Sequence, residues 1–325
     1  MHVETVLGPI EPEQLGRVLM HEHVEAITLE GLYGSDGADR KVAMMALDVL
    51  EKGGIGTIVD LTGRSRVESN HAMAGLAGLG QRIGPHVVAG FAYYKDPWLE
   101  RAGADDLSVL TDLYVERAYD MGNGVKAGIY GEIGTSLDEI TPREELHLRA
   151  VARAQTKTGL AISTHCTLGT MGVEQVRILL SEGADPAKLV IGHLDLSPDV
   201  PYLEAVLATR VNIAFDTFGK EWFDYRVPGS ESEGPGEFVK WTYYRADDDR
   251  IEALAELCSR GYDDRIVLSS DMSGSEAWFN PSTHGMRGYS YLPSVVVPRL
   301  EEAGVPPNSV NRMLVENPRR ILAIR

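Results

Sequence analysis

Cysteine is nearly absent from this chain of 325 residues, with Cys166 and Cys258 as its two examples far apart in sequence. That excludes a disulfide framework, and so sparse a pair says nothing about compartment. Long apolar runs are missing too: no stretch approaches the roughly eighteen residues of a membrane helix. The start MHVETVLGPIEPEQ carries neither the basic nor the apolar segment of a secretion signal, so a cytoplasmic protein away from membranes is expected. Positive charge is short as well. With 31 Lys and Arg against 48 Asp and Glu, the net charge of −17 argues against nucleic acid or anionic lipid as partner, because both present phosphates. Linkers, low-complexity runs and internal repeats are lacking, so one domain over residues 1–325 is expected. No glycine-rich dinucleotide fingerprint follows the first apolar segment, which disfavours a doubly wound nucleotide-binding fold.

What is present is a repeating pattern. Eight short segments rich in apolar and β-branched residues recur: RVLMHEH (17–23), GTIVDLT (56–62), HVVAGFAYY (86–94), KAGIYGEIG (126–134), LAISTHC (160–166), KLVIGHLDL (188–196), VNIAFDTFG (211–219) and RIVLSSDMS (265–273). Amphipathic stretches of helical spacing separate most of them, among them 39–53, 105–122, 142–159, 173–183 and 249–261. TPREE at 141–145 supplies an N-cap threonine, a first-turn proline and a capping-box glutamate. Strand and helix in alternation imply parallel pairing, and eight such units predict a closed (β/α)8 TIM barrel. The stretch 220–249 is long and aromatic, as functional loops are.

On a strand, alternate side chains share a face, so His21 and His23 project together and Glu22 points the other way. Two such imidazoles suit a metal ion or, equally, local hydrogen bonds. In a barrel of this kind chemistry collects at the C-terminal strand ends, and there the sequence offers Glu132, His165, His193 and Asp271 on strands four, five, six and eight. Imidazole and carboxylate together are the donors expected for zinc, or for manganese, cobalt or iron. Six groups exceed the needs of one tetrahedral ion, which predicts two divalent cations joined by a carboxylate.

This set, with GEIGTS (131–136), STHC (163–166), IGHLD (191–195), FDTFGKEWF (215–223), LSSDM (268–272) and VENPRRIL (315–322), resembles the amidohydrolase superfamily and, within it, the phosphotriesterase-like family. The resemblance runs from about residue 5 to the C-terminus. It implies that His21, His23 and Asp271 hold the more buried ion, His165 and His193 the more exposed one, and that Glu132 joins them. A hydroxide bridging the ions would be the nucleophile, with Asp271 as base and proton shuttle. Two departures stand out. Well-known members bridge the metals with a carbamylated lysine, whereas this chain has Glu132, and Lys126 lies at the wrong end of the strand, so the likeness is to a bridging-glutamate subgroup. Phosphotriesterases also tend to carry a further aspartate where Leu196 follows Asp195.

Tyr94 after strand three, Lys220 after strand seven, and Trp278 and Arg287 after strand eight are the candidate substrate contacts, with loop packing or salt bridges as the plainer role for each. Asp195 either orients His193 or forms a salt bridge, and Asp60 and Glu22 are read as structural hydrogen-bonding groups. His2, His71, His86, His147 and His284 fall outside the metal set. The resulting expectation is a binuclear metal-dependent hydrolase of carboxylic esters, a lactonase acting on a small-molecule ester or lactone. The alternatives are a phosphotriesterase or amide hydrolase, and a catalytically silent metal-binding barrel. Oligomeric state is open, with a homodimer as the working expectation.

Overall fold

The computed structural model describes residues 1–24, 53–62, 70–220, 246–272 and 289–325. The predicted helix over 39–53, Trp278, Arg287 and nearly all of the stretch 220–249 lie outside the described residues. Eight strands follow one another in chain order around a single parallel sheet: β1 (Arg17–Glu22), β2 (Ile55–Asp60), β3 (His86–Phe91), β4 (Ile129–Thr135), β5 (Ala161–Cys166), β6 (Leu189–Gly192), β7 (Asn212–Phe215) and β8 (Ile266–Leu268). Beyond their ends the first and last strands meet: the Asp271 amide donates to His21 O at 3.0 Å and the His23 amide to Met272 O at 3.0 Å. The result is a nearly closed (β/α)8 TIM barrel. A short antiparallel hairpin, Val3–Thr5 with Gly8–Ile10, precedes it and was not apparent in the sequence.

The pleat sorts apolar side chains into two layers. Val18, Met20, Val59, Val88, Ile129, Ala161, Val190, Ala214 and Val267, drawn from all eight strands, form the inner cluster. Their neighbours, such as Leu19, Ile58, Val87, Tyr130, Ile162, Ile191, Ile213 and Leu268, face the helices. Strands buried on both faces explain why these segments read as near-continuous apolar runs. The helix Pro142–Thr158 begins as its sequence predicts, with the Thr141 and Glu144 capping box and Pro142 in the first turn. It ends at Gly159, whose φ of 74° suits a residue without Cβ. Among the described residues no helix is long and apolar enough to cross a membrane.

Strict alternation along β1 would turn Glu22 inward, with Val18 and Met20, and would send His21 out. The pairing with β2 is irregular there. Leu19 pairs Ile58 but Glu22 pairs Asp60, so an extra residue on β1 reverses the facing. The same device appears on β4, where Tyr130 pairs Ile162 and Ile133 pairs Thr164, and it brings Glu132 inward. Bulges of this kind re-aim side chains next to active sites. On β5 and β7 plain alternation suffices, from Ala161 to His165 and from Ala214 to Asp216.

Between sheet and helices, Phe91, Tyr93, Tyr114 and Tyr130 form an edge-to-face cluster, and His147 packs on Tyr93 and Tyr114 with its Nδ1 3.0 Å from the Tyr114 hydroxyl. Burial pushes the His147 imidazole down to about 4 from 6.5. Above pH 6.5 folded and unfolded forms are both neutral at this residue. Below it the unfolded chain takes up the proton first, so stability falls with pH until about 4. Denaturant unfolding of the metal-free protein should therefore show a steeper acid loss than a His147→Gln variant, by on the order of 1 kcal/mol per pH unit in that window.

Candidate metal centre

The structure gathers all six predicted donors at the C-terminal mouth of the barrel, five of them buried and Asp271 partly so. His21 Nε2 lies 3.6 Å from Glu132 Oε2 and 3.5 Å from Asp271 Oδ1. His23 Nε2 is 3.6 Å from Glu132 Oε1, and His193 Nε2 is 3.3 Å from Glu132 Oε2. Two donor atoms bound at about 2.1 Å to one tetrahedral ion stand roughly 3.4 Å apart, so these spacings are those of groups sharing a cation. His21 Nε2 strengthens the fit, being a buried nitrogen with no hydrogen-bond partner among the described residues. Two sets of donor atoms converge, His21, Glu132 and His193 in one and His21, His23 and Asp271 in the other. Three contacts are direct hydrogen bonds: His23 Nε2 to Asp271 Oδ1 at 2.7 Å, His165 Nδ1 to Glu132 Oε2 at 2.8 Å, and the 3.3 Å contact of His193 Nε2 with Glu132 Oε2.

Beneath these groups lies Asp216, fully buried. Its Oδ2 lies 2.9 Å from His21 Nδ1, and its Oδ1 accepts both the His193 amide at 2.9 Å and His193 Nδ1 at 3.0 Å. One carboxylate thus fixes two rings so that both Nε2 atoms point into the centre, as carboxylates behind metal-binding histidines do. Sequence reasoning passed over Asp216 within FDTFGKEWF, although its place at a strand end, two residues after inward-facing Ala214, was a usable signal. His193 follows β6 in the left-handed region at φ 59°, and Asp271 follows β8 at φ 46°.

Among the described residues Asp195 turns to Thr217 and Arg250 and makes no hydrogen bond to His193. Its Oδ2 accepts from the Thr217 amide at 2.9 Å and hydroxyl at 2.8 Å and lies 3.4 Å from Arg250 Nε, which favours the salt-bridge alternative. Arg250, itself fully buried, also binds Asp247 at 2.8 Å. Tyr94 holds its hydroxyl 2.9 Å from His165 Nε2. Lys220 Nζ donates to Asp271 Oδ2. Buried Lys95 donates to Thr167 Oγ1 at 2.7 Å beside His165. Lys126 stands three residues before β4 and lies 3.6 Å from Glu4, far from the centre at the opposite end of the strand.

The charges are set by one another. Burial alone would raise the Glu132 carboxyl, but His165, His193 and His21 hold it well below the carboxylate range. Burial opposes ionisation of Asp271 too, and Lys220 with the imidazoles overrides it. His193 feels the reverse balance: burial pulls it down, while Asp216, Asp271 and Glu132 carry it well above 6.5. Burial takes His165 down to about 3 despite Glu132. Neutral His165 can then donate from Nδ1 to Glu132 and accept the Tyr94 hydroxyl at Nε2.

Comparison with known proteins points one way. The family model described as the phosphotriesterase family matches residues 1–322. A phosphotriesterase homology protein of Mycobacterium tuberculosis is 33% identical, with 98% of this chain and 97% of that protein covered. N-acetyltaurine hydrolase of Danio rerio is 30% identical over 99% of this chain and 98% of its own. Among solved structures, an organophosphorus hydrolase from Deinococcus radiodurans superposes with TM-score 0.81 at 28% identity, covering 99% of this chain and 97% of that one. The phosphotriesterase homology protein of Escherichia coli, solved with phosphate in its active site, gives 0.77 at 29% identity over 95% and 99% of the two chains. A barrel of this topology, its converging donors and a likeness that spans almost every residue place the chain in the phosphotriesterase family, as a metal-dependent hydrolase of ester or related bonds.

Proposed function

We propose that the protein hydrolyses carboxylic esters, lactones foremost, and that His21, His23, Glu132, His165, His193 and Asp271 hold two divalent cations, zinc by their donor chemistry. The cations, when bound, supply Lewis acidity and draw the pKa of water towards neutrality. The observation that carries the choice of substrate is the contact between Lys220 Nζ and Asp271 Oδ2. The ammonium keeps Asp271 ionised and therefore able to accept the proton that water loses as it attacks the carbonyl carbon. When the acyl C–O bond breaks, Asp271 returns that proton to the departing oxygen. An alkoxide is a poor leaving group and depends on this step, whereas an aryl phosphotriester expels a stable phenolate without it. When a cation takes His165 Nε2, the Tyr94 hydroxyl beside it would turn its proton to the carbonyl oxygen as negative charge grows there. Leu196 stands where phosphotriesterases tend to carry a further carboxylate, and Asp195 is engaged by Thr217 and Arg250, so no acidic side chain at these two positions is disposed to pass the proton outward.

Amide hydrolysis is the second reading, favoured by the name of the zebrafish relative at 30% identity. An amine leaving group also needs the proton that Asp271 would deliver.

Metal analysis of protein loaded with zinc and desalted should approach two equivalents per chain, and Asp216→Asn should weaken metal affinity by about 10- to 100-fold, since it unfixes two rings at once. A firm single equivalent would remove the bridging role of Glu132. A panel of lactones, aryl esters, N-acyl amides and phosphotriesters tests the reaction. The best lactone should exceed any phosphotriester by at least about a hundredfold in kcat/KM, the low end of what a positioned proton transfer contributes. Asp271→Asn should abolish turnover with the fold retained by circular dichroism. Equal turnover of a phosphotriester, or a panel in which an N-acyl amide alone is cleaved, would replace the lactonase reading.

A further inference from the structure

The residue between the two histidines of the first strand faces away from them and has no part in the chemistry above. Glu22 is nonetheless fully buried, and its carboxylate reaches across the barrel seam to the segment that follows β8. Oε1 accepts from the Ser269 hydroxyl at 2.8 Å and the Ser270 amide at 3.0 Å, and Oε2 accepts from the Met272 amide at 2.7 Å. Ser270 and Met272 are the two neighbours of Asp271. The Asp271 amide itself donates to His21 O at 3.0 Å, and Met272 O accepts the His23 amide at 3.0 Å. The Ser270, Asp271 and Met272 amides and the Met272 carbonyl each therefore bond to His21, Glu22 or His23, and the Tyr289 hydroxyl adds a bond to Met272 O at 3.4 Å. Asp271 needs such restraint because its φ of 46° lies in the left-handed region, which a residue with a Cβ holds only when its surroundings over-determine it.

We propose that Glu22 is the positioning residue for Asp271: by clamping the amides on either side, it holds the carboxylate in the left-handed turn from which it meets His23 Nε2 at 2.7 Å and Lys220. The same strand that presents the His21 and His23 imidazoles thus sets where the proton acceptor stands relative to them. The inference rests on the reading of Asp271 given above and concerns placement alone.

Glu22→Gln tests it, since the variant keeps the shape while its amide group must turn a donor towards Ser270 or Met272, which are donors already. The matched control is Glu144→Gln. Glu144 is also buried and also holds three donors, the Thr141 amide at 2.9 Å, the Ser136 amide at 3.1 Å and the Ser136 hydroxyl at 2.8 Å, but it serves a helix start and none of these partners adjoins a metal donor in the chain. With the best substrate of the wild-type enzyme, Glu22→Gln should lower kcat about 10- to 100-fold, within the range of positioned proton transfer, and leave KM within about threefold. Substituted with cobalt, it should also show altered visible absorption bands, because Asp271 is placed among the metal donors. Glu144→Gln should lower Tm and leave kcat and the cobalt spectrum as in wild type. If Glu22→Gln does not fold, Glu22→Asp draws the same carboxylate back from the Ser270 and Met272 amides and should shift kcat and spectrum in the same direction. A Glu22→Gln protein, or failing that Glu22→Asp, that loses only Tm overturns the proposal. Should Asp271→Asn prove active, the reading of Asp271 fails instead, whereas an inactive Asp271→Asn beside an unaffected Glu22→Gln sinks this inference alone.

Discussion

Two imidazoles from different strands lean on one buried carboxylate, and the geometry of the centre follows from that. Asp216 binds Nδ1 of both His21 and His193, which are separated by most of the chain's length but whose rings lie 4.8 Å apart, centroid to centroid. His165 and His23 pair directly with Glu132 and Asp271. His21 makes no such pair, because Asp216 holds its ring from behind. Its Nε2 stays buried and aimed at two carboxylate oxygens just beyond hydrogen-bond reach.

Backbone irregularity does the aiming elsewhere. A regular strand can send only every second residue inward, and the inner layer of Val18, Met20 and Ile129 has already used that parity. His21 and Glu132 reach the mouth because β1 and β4 each carry an extra residue just before them. His193 and Asp271 reach it because they leave their strands in the left-handed region. Such departures from ideal geometry persist where surrounding bonds hold them, and here Asp216, Glu22 and the neighbouring strand carbonyls supply those bonds.

Electrostatics then divides the site. Carboxylates gather beneath and between the histidines, while two ammonium groups, Lys220 at Asp271 and Lys95 by His165, stand at its edge. In a chain of net charge −17 this local arrangement is a property of placement and not of composition. Burial strengthens each pairing, since the opposing charges meet away from water.

Composition and periodicity by themselves determined the alternation of strand and helix, the parallel barrel it implies, the capped helix at Pro142, and the donor-bearing residues at strand ends. These are local properties: a pleat of period two, a helix of period 3.6 and turn residues are written in consecutive positions. What only the tertiary structure decided was the facing of His21 against Glu22, because a bulge is defined by the partner strand and leaves no mark in RVLMHEH. It also decided that Asp216, read simply as part of a fragment, serves two histidines. Asp195, with two roles open to it, turned to Arg250. The N-terminal hairpin was equally hidden, its strands of three residues each being too short for any period to show. For the bulge, Asp216 and Asp195 the deciding contact joins residues well separated in the chain, and only the assembled barrel brings them within a hydrogen bond's length.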